Sequence, residues 1–388
     1  MTLGATESRT NKALWMLLFG NFIIGTGVLL PAGLLNQLAT ELHVDVATTG
    51  LLLLAGGIVV GVGAPLLATL TTRVDRKVLL MCAMGLYGAG HLASAFTSSF
   101  WTLLIIRMLM ISAAGIFSPQ AAATVSLMVP PERRASAIAF IFIGWSVASV
   151  AGIPLASFIG SALGWHMVFL IMSGLSVLSG LAVWVTVPRA LYGSPLNFLS
   201  WKTVFTSPAL MAVLGVTLLS FSGQFVVFGY LAPVLKDVAA ASPAGISVAF
   251  AIVGVAGIAG NAIATRMVRN LPVHLVIGMS LASLCLGYFV FALLFGNYWG
   301  GMTGLALWGF GTFSSNSLQQ SRLVQLAPVL ASATVALNTS AVYLGQAIGS
   351  GVGGFLITGG ASVIMAWTGL AFLLLSLAAS LMATRLKV

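Results

Sequence analysis

Apolar and polar positions follow one pattern along the whole chain, long apolar runs separated by short polar breaks. The runs cover about 13–38, 46–71, 78–97, 101–129, 135–162, 167–187, 208–236, 244–268, 273–296, 300–326, 332–358 and 363–384. Each has about the 20 apolar residues that a helix needs to cross hydrocarbon. Helices are expected because a helix satisfies its own backbone hydrogen bonds where no water can. The ten-residue alternation of a membrane β-barrel is absent, and the 44 glycines suit close helix contacts in lipid. The first run is too long, and too firmly followed by others, to be a cleaved leader, so it is expected to stay in the mature protein. The pattern predicts an all-α integral membrane protein with twelve transmembrane helices.

Composition narrows the class. Of 388 residues, 59% are hydrophobic and 6% charged, against roughly 25% charged in a soluble chain. Mean hydropathy is +1.10. That excludes an ordinary soluble enzyme, a disordered chain and a disulfide scaffold. The net charge of +10 does not mark a nucleic-acid surface, because the basic residues punctuate the apolar runs instead of forming a patch. Arg9, Lys12, Arg73, Arg76, Lys77, Arg133, Arg134, Arg189, Lys202, Arg266, Arg269, Arg322, Arg385 and Lys387 fall on one side of the predicted membrane, Lys236 on the other, and Arg107 within a run. Excess positive charge marks the cytoplasmic side. Both termini are therefore expected in the cytoplasm, with the chain crossing the inner (plasma) membrane many times. Cys82 and Cys285 lie in separate runs and are expected to be small buried hydrophobes.

The longest interval without a strong apolar run is 188–207, holding Pro188, Arg189, Pro195 and Lys202. It divides the chain into an expected N-terminal six-helix bundle (1–187), a cytoplasmic linker (188–207) and a C-terminal six-helix bundle (208–388). The halves are weakly similar at an offset near 197 residues, where Gly152 aligns with Gly349. Internal repeats of this kind belong to secondary transporters, whose substrate site lies near the midplane between the repeats.

Between the second and third runs stand Gly63-Ala64-Pro65-Leu66-Leu67 and Leu70-Thr71-Thr72-Arg73-Val74-Asp75-Arg76-Lys77. After the fourth comes Pro130-Pro131-Glu132-Arg133-Arg134. The fifth carries Gly144, Gly152-Ile153-Pro154, Gly160 and Gly164-Trp165. Over residues 19–380 the chain resembles the major facilitator superfamily, and within it the drug, sugar and purine-nucleoside efflux branch of proton antiporters. The resemblance implies two pseudo-symmetric bundles that rock about a central cavity, and a monomer. Arg73, Asp75, Arg76 and Lys77 would then tie helix ends together in one conformational state, and simple positive-side anchoring is the other reading of the three cations. The glycines at intervals of eight give one smooth helix face, and Pro154 is expected to bend it. Gly144, Gly152, Pro154 and Gly160 are the candidate conformational residues.

Arg107 is the one full charge placed inside a run and not assigned to one of the two sides, and an unpaired cation there must face water or a partner. It matches the arginine of the family's fourth-helix motif, and is a candidate for substrate binding and for coupling. The acids Glu7, Glu41, Asp45, Asp75, Glu132 and Asp237 all fall outside the runs. Where related efflux proteins carry a glutamate in the first helix, this chain has Val28. The coupling proton then rides on His91, on Arg107 or on the substrate, or the protein is an uncoupled facilitator. Asn21, Thr26, Gln224, Tyr230, Asn316, Gln320, Asn338 and Tyr343 are the candidate substrate-binding residues, placed near mid-depth on the helices that line the cavity in this family. With Phe22, Trp145, Phe221, Phe225, Trp308 and Phe313 nearby, this neutral lining suits an uncharged hydrogen-bonding or amphipathic solute. No metal-ligand cluster, acid–base pair or phosphate-cradling loop is legible, so no cofactor, metal or enzymatic activity is expected. The expected function is proton-coupled export of a small drug-, sugar- or nucleoside-like solute. Uncoupled facilitation and a non-transporting scaffold or sensor are the alternatives.

Overall fold

A computed structural model describes residues 3–71, 73–192, 198–268, 270–360 and 362–385. Thr72, Pro195, Arg269 and Lys387, and the side chains of Glu7 and Glu132, lie outside the described residues. Among those described, the regular elements are helices. The first half holds α1 (Leu3–Glu41), α2 (Val46–Leu70), α3 (Arg76–Ala95), α4 (Phe100–Met128), α5 (Pro131–Val147), α6 (Ile153–Leu163) and α7 (Trp165–Thr186). A short α8 (Phe198–Thr206) precedes the second half: α9 (Pro208–Phe228), α10 (Leu231–Ala239), α11 (Pro243–Met267), α12 (Val273–Leu293), α13 (Tyr298–Leu326), α14 (Ala331–Thr358) and α15 (Ser362–Ala383).

Local chemistry sets the breaks. Asp45 caps α2 by accepting from Thr48 N at 2.6 Å, Asn297 caps α13 by accepting from Gly300 N at 3.0 Å, and prolines stand in the first turns of α5, α9 and α11. Gly164, at φ +83°, makes the sharp joint between α6 and α7 that a side chain would strain.

Several elements differ from expectation. The fifth crossing is not one continuous α-helix. It passes from α5 to α6 through a π-turn, Ala148–Gly152, in which Ile153 N donates to Ala148 O. Pro154 has no N–H for the carbonyl four residues back, and the wider turn absorbs that loss. The seventh run is not continuous over 208–236 but breaks at Gly229–Tyr230, before the short α10 with its Pro233. The 188–207 interval contains α8. Arg322 lies within α13 and is buried, and Cys82 is exposed. Among the described residues, eleven helices are long and apolar enough by themselves to cross a membrane. The twelfth crossing, α13, falls short because it carries Ser314, Ser315, Asn316, Gln319, Gln320 and Arg322.

The helices pack as two six-crossing bundles. In the first, α1 lies against α5, α6, α7, α2 and α4; in the second, α9 lies against α14 and α15, and α13 against α11 and α12. The bundles meet along α2 with α14, along α5–α6 with α11, and where α1 touches α10. Twelve crossings return the chain to the side on which it began, here called the terminal side. Residues 23–35 of α1 and 222–235 of α9–α10 are buried throughout. On the terminal halves of the same helices Trp15, Leu18, Phe19, Phe22, Met211, Leu218 and Phe221 are partly or fully exposed. The bundles are thus closed together on the far side and parted on the terminal side.

Candidate functional site

Lipid gives helices no hydrophobic reason to pair, so close approach depends on small residues. Gly144, Gly152 and Gly160 all face α1. A Cβ at Gly144 would meet Phe22 N at 2.7 Å, one at Gly152 would lie 3.0 Å from Thr26 Cβ, and one at Gly160 would strike Leu34. The second half repeats the device: Gly345, Gly349 and Gly353 of α14 face Phe221, Phe225 and Tyr230. Gly152 and Gly349, the aligned pair, therefore occupy matching seats. These glycines close each bundle on itself. The seam between bundles uses others: a Cβ at Gly57 would lie 2.6 Å from Tyr343 O, and one at Gly254 would lie 2.6 Å from Val150 N in the π-turn. Gly57 and Gly254 were missed in sequence, because nothing in their spacing tells an inter-bundle seat from an intra-bundle one.

The polar candidates form two matching nodes. In the first bundle Asn21 donates to Ile141 O at 3.2 Å and accepts from Ser118 Oγ at 2.6 Å, and Trp145 Nε1 donates to Ser118 Oγ at 3.2 Å. In the second, Thr217 donates to Asn338 Oδ1 at 2.8 Å and Asn338 Nδ2 to Asn316 Oδ1 at 3.3 Å. Residues 21, 118 and 141 and residues 217, 316 and 338 correspond at an offset of about 197. Each node ties the first, fourth and fifth crossings of its bundle.

Arg107 is 2% exposed. Its guanidinium donates from Nη1 to Gly27 O at 2.8 Å, from Nη2 to Val28 O at 2.7 Å and from Nε to Leu52 O at 3.3 Å. The first contact follows from Pro31 inside α1: proline has no N–H, so the Gly27 carbonyl lacks its helical donor, and Arg107 supplies one. Tyr87, His91 and Tyr343 lie within its electrostatic reach. His91 is fully buried, edge-on to Tyr87 with centroids at 4.7 Å, and neither ring nitrogen has a hydrogen-bond partner. Tyr343, on α14, brings an unpartnered hydroxyl to this spot from the other bundle.

The remaining candidates divide by exposure. Thr26 bonds back to Phe22 O at 2.8 Å beneath Gly152. Gln224 is held by Ser220 and by Trp308 Nε1 at 3.2 Å, inside the second bundle. Tyr230, expected at mid-depth, sits instead at the helix break on the far side, buried, its hydroxyl donating to Ser350 O at 2.9 Å. Asn316 and Gln320 remain half-exposed on one face of α13, with Phe22, Trp145, Phe221 and Phe313 also half-exposed and Phe225 and Trp308 buried. Ile116, Pro119 and Ala123 of α4 and Thr339 and Val342 of α14 are half-exposed as well.

On the terminal side Asp75 caps α3 through Lys77 N at 2.8 Å and also accepts from Ala190 N. Arg76 is buried, its Nη1 donating to Gln120 of α4 and its backbone N donating to Leu191 O at 2.9 Å. The loop therefore ties α3, α4 and the segment after α7. Arg73 is exposed, and among the described residues no hydrogen bond or ion pair joins this loop to the second bundle.

Comparison with known proteins agrees with this architecture. The family model described as Major Facilitator Superfamily matches residues 17–350. The chain is 28% identical over 352 residues to the "Inner membrane transport protein YdhP" of Escherichia coli O157:H7, covering 91% of this chain and 90% of that one. It is 30% identical over 333 residues to a "Probable sugar efflux transporter" of Helicobacter pylori (strain G27), covering 85% and 84%. In structure it is similar to a bacterial homolog of the human lysosomal transporter Spinster, solved inward-facing and unoccupied, with TM-score 0.68, 16% identity, and 99% and 98% of the two chains covered.

Proposed function

We propose, from the premise that the chain belongs to the Major Facilitator Superfamily and is a multi-pass membrane transporter, that it exports a small uncharged organic solute by alternating access. The observation that carries the reading is a set of neutral, half-exposed side chains at and beyond mid-depth toward the parted terminal side. Asn316 and Gln320 supply amides, Thr339 a hydroxyl, and Phe22, Phe221 and Phe313 apolar walls. Such side chains hydrogen-bond a polar solute and shelter its apolar faces without selecting an ion. The relative named for sugar efflux supports this solute class. The basic residues of the terminal side support placing both termini in the cytoplasm, and export would then begin from the side on which the bundles are parted.

A second reading, uncoupled facilitation, has its own support. Glu41, Asp45, Asp75 and Asp237, the acids whose side chains are described, all lie at helix ends or on the short α10, and Val28 occupies the first-helix position. A proton-coupled cycle would have to use His91, Arg107 or the solute itself.

Flux in proteoliposomes, with pentoses, purine nucleosides and drugs offered in turn and internal pH followed by a dye, separates these readings. Solute-dependent proton movement establishes antiport. Flux indifferent to an imposed pH gradient establishes facilitation, and no flux of any neutral solute rejects the export reading.

A further inference from the structure

Apart from the half-exposed side chains toward the parted terminal side, the fold holds a cavity between the bundles on the far side, with a volume of about 340 Å³. That lies within the roughly 300–1,000 Å³ of small-molecule sites. Both bundles build it: Asn36, Gln37, Thr40 and Glu41 come from the end of α1, Ser157 from α6, and Lys236 from α10. Among the described residues, the side chains of Gln37, Ser157 and Lys236 have no hydrogen-bond partner. Thr40 spends its proton on Asn36 O at 2.9 Å and keeps its lone pairs free. Glu41 approaches His166 Nδ1 at 3.8 Å. The carboxylate and the ammonium come from opposite bundles and leave the lining without net charge, and no residue lining the cavity is aromatic.

We infer that this cavity is a release station, a low-affinity site for a neutral hydroxyl-rich solute about to leave on the far side. The inference rests on the export reading. Amides, hydroxyls and one charge of each sign offer donors and acceptors to a polyol. The balanced charge gives neither a cation nor an anion an advantage, and the lack of an aromatic platform keeps affinity low, as release requires. The cavity already opens onto the far surface, where Thr40, Glu41, Ser161 and Lys236 are exposed, and rocking that parts the far side draws α10 and α11 away from α1 and α6 and extends it inward toward the solute's path.

The test is binding without transport. Ser161, which also lines the cavity, is replaced by cysteine and labelled with an environment-sensitive dye in a Cys82→Ser background, and the purified full chain is titrated with L-arabinose and D-sorbitol. The expected result is a saturable millimolar response. It weakens at least fivefold in Gln37→Leu/Thr40→Val and severalfold in Lys236→Gln, and is unchanged in Asn316→Ala/Gln320→Ala. No saturable response, an equal response in the Gln37 and Lys236 variants, loss of response in the Asn316/Gln320 variant, or an equal response to glycine betaine would each overturn the proposal. Because the readout needs no flux, failure of the release station and failure of the export reading are seen separately.

Discussion

Arg107 shows how one side chain can carry a helix through a proline. Removing the guanidinium leaves the Gly27 carbonyl with no donor in an apolar interior, where an unsatisfied group costs about 1–3 kcal/mol. Arg107→Ala is therefore expected to lower the unfolding midpoint in detergent. Adding Pro31→Ala, which returns an N–H to Gly27 O, should recover about 1 kcal/mol. If the double variant is no more stable than Arg107→Ala alone, the carbonyl is not what Arg107 serves. Asp75→Ala should cost about 1 kcal/mol through the lost cap, and should also free Ala190, a non-glycine residue held at φ +62°. Circular dichroism during thermal unfolding measures both effects. At this scale the sequence told residue type and depth for Arg107, but not its partners. Its partners are backbone carbonyls of α1 and α2, and nothing in a sequence marks a carbonyl as orphaned until the helix that holds the proline is placed beside the arginine. Asn21 and Asn338 read in the sequence as residues lining the substrate cavity, yet each is buried and bound within its own bundle.

Among the elements, the seams decide which motions are possible. Val150 N and Ser149 C lie 2.6 and 2.7 Å from a Cβ built at Gly254, and these are backbone atoms that cannot swing aside. Gly254→Val should push α11 off the π-turn, and overpacking of this kind costs about 1–3 kcal/mol. Since 1.4 kcal/mol is tenfold in an equilibrium, the far-side-closed state should lose roughly tenfold or more in population. Spin-label distances between the far-side ends of α6 and α11 would show the shift. Gly174→Ala, where the added carbon meets nothing within 4 Å, should leave them unchanged. The eight-residue glycine spacing in the fifth crossing was plain in the sequence, and its helix partner was not. The run at 300–326 reads in the sequence as an ordinary apolar crossing, whereas α13 has a low hydropathy that comes from its polar line, Asn316 and Gln320 included.

For the molecule as a whole, burial along α1 and α9 assigns the state: the far halves are sealed and the terminal halves are parted. Under the proposed alternating access, rocking must then separate α2 from α14 on the far side once per cycle. Leu54 and Gly351 face each other across that seam, a Cβ on Gly351 lying 2.9 Å from Leu54 Cδ1. A Leu54→Cys/Gly351→Cys pair in a Cys82→Ser/Cys285→Ser background should form a disulfide on mild oxidation, stop flux in proteoliposomes, and regain it with reductant. Undiminished flux through the oxidised protein would mean that the seam never parts, and alternating access by rocking would fail with it. The twelvefold pattern, the half-and-half division and the excess of positive charge on one side were legible because lipid imposes them on every residue of a crossing. The conformational state was not, because it depends on a small difference between two sets of cross-bundle contacts. In the present state the loop of Arg73, Asp75, Arg76 and Lys77 serves its own bundle through Gln120, Ala190 and Leu191.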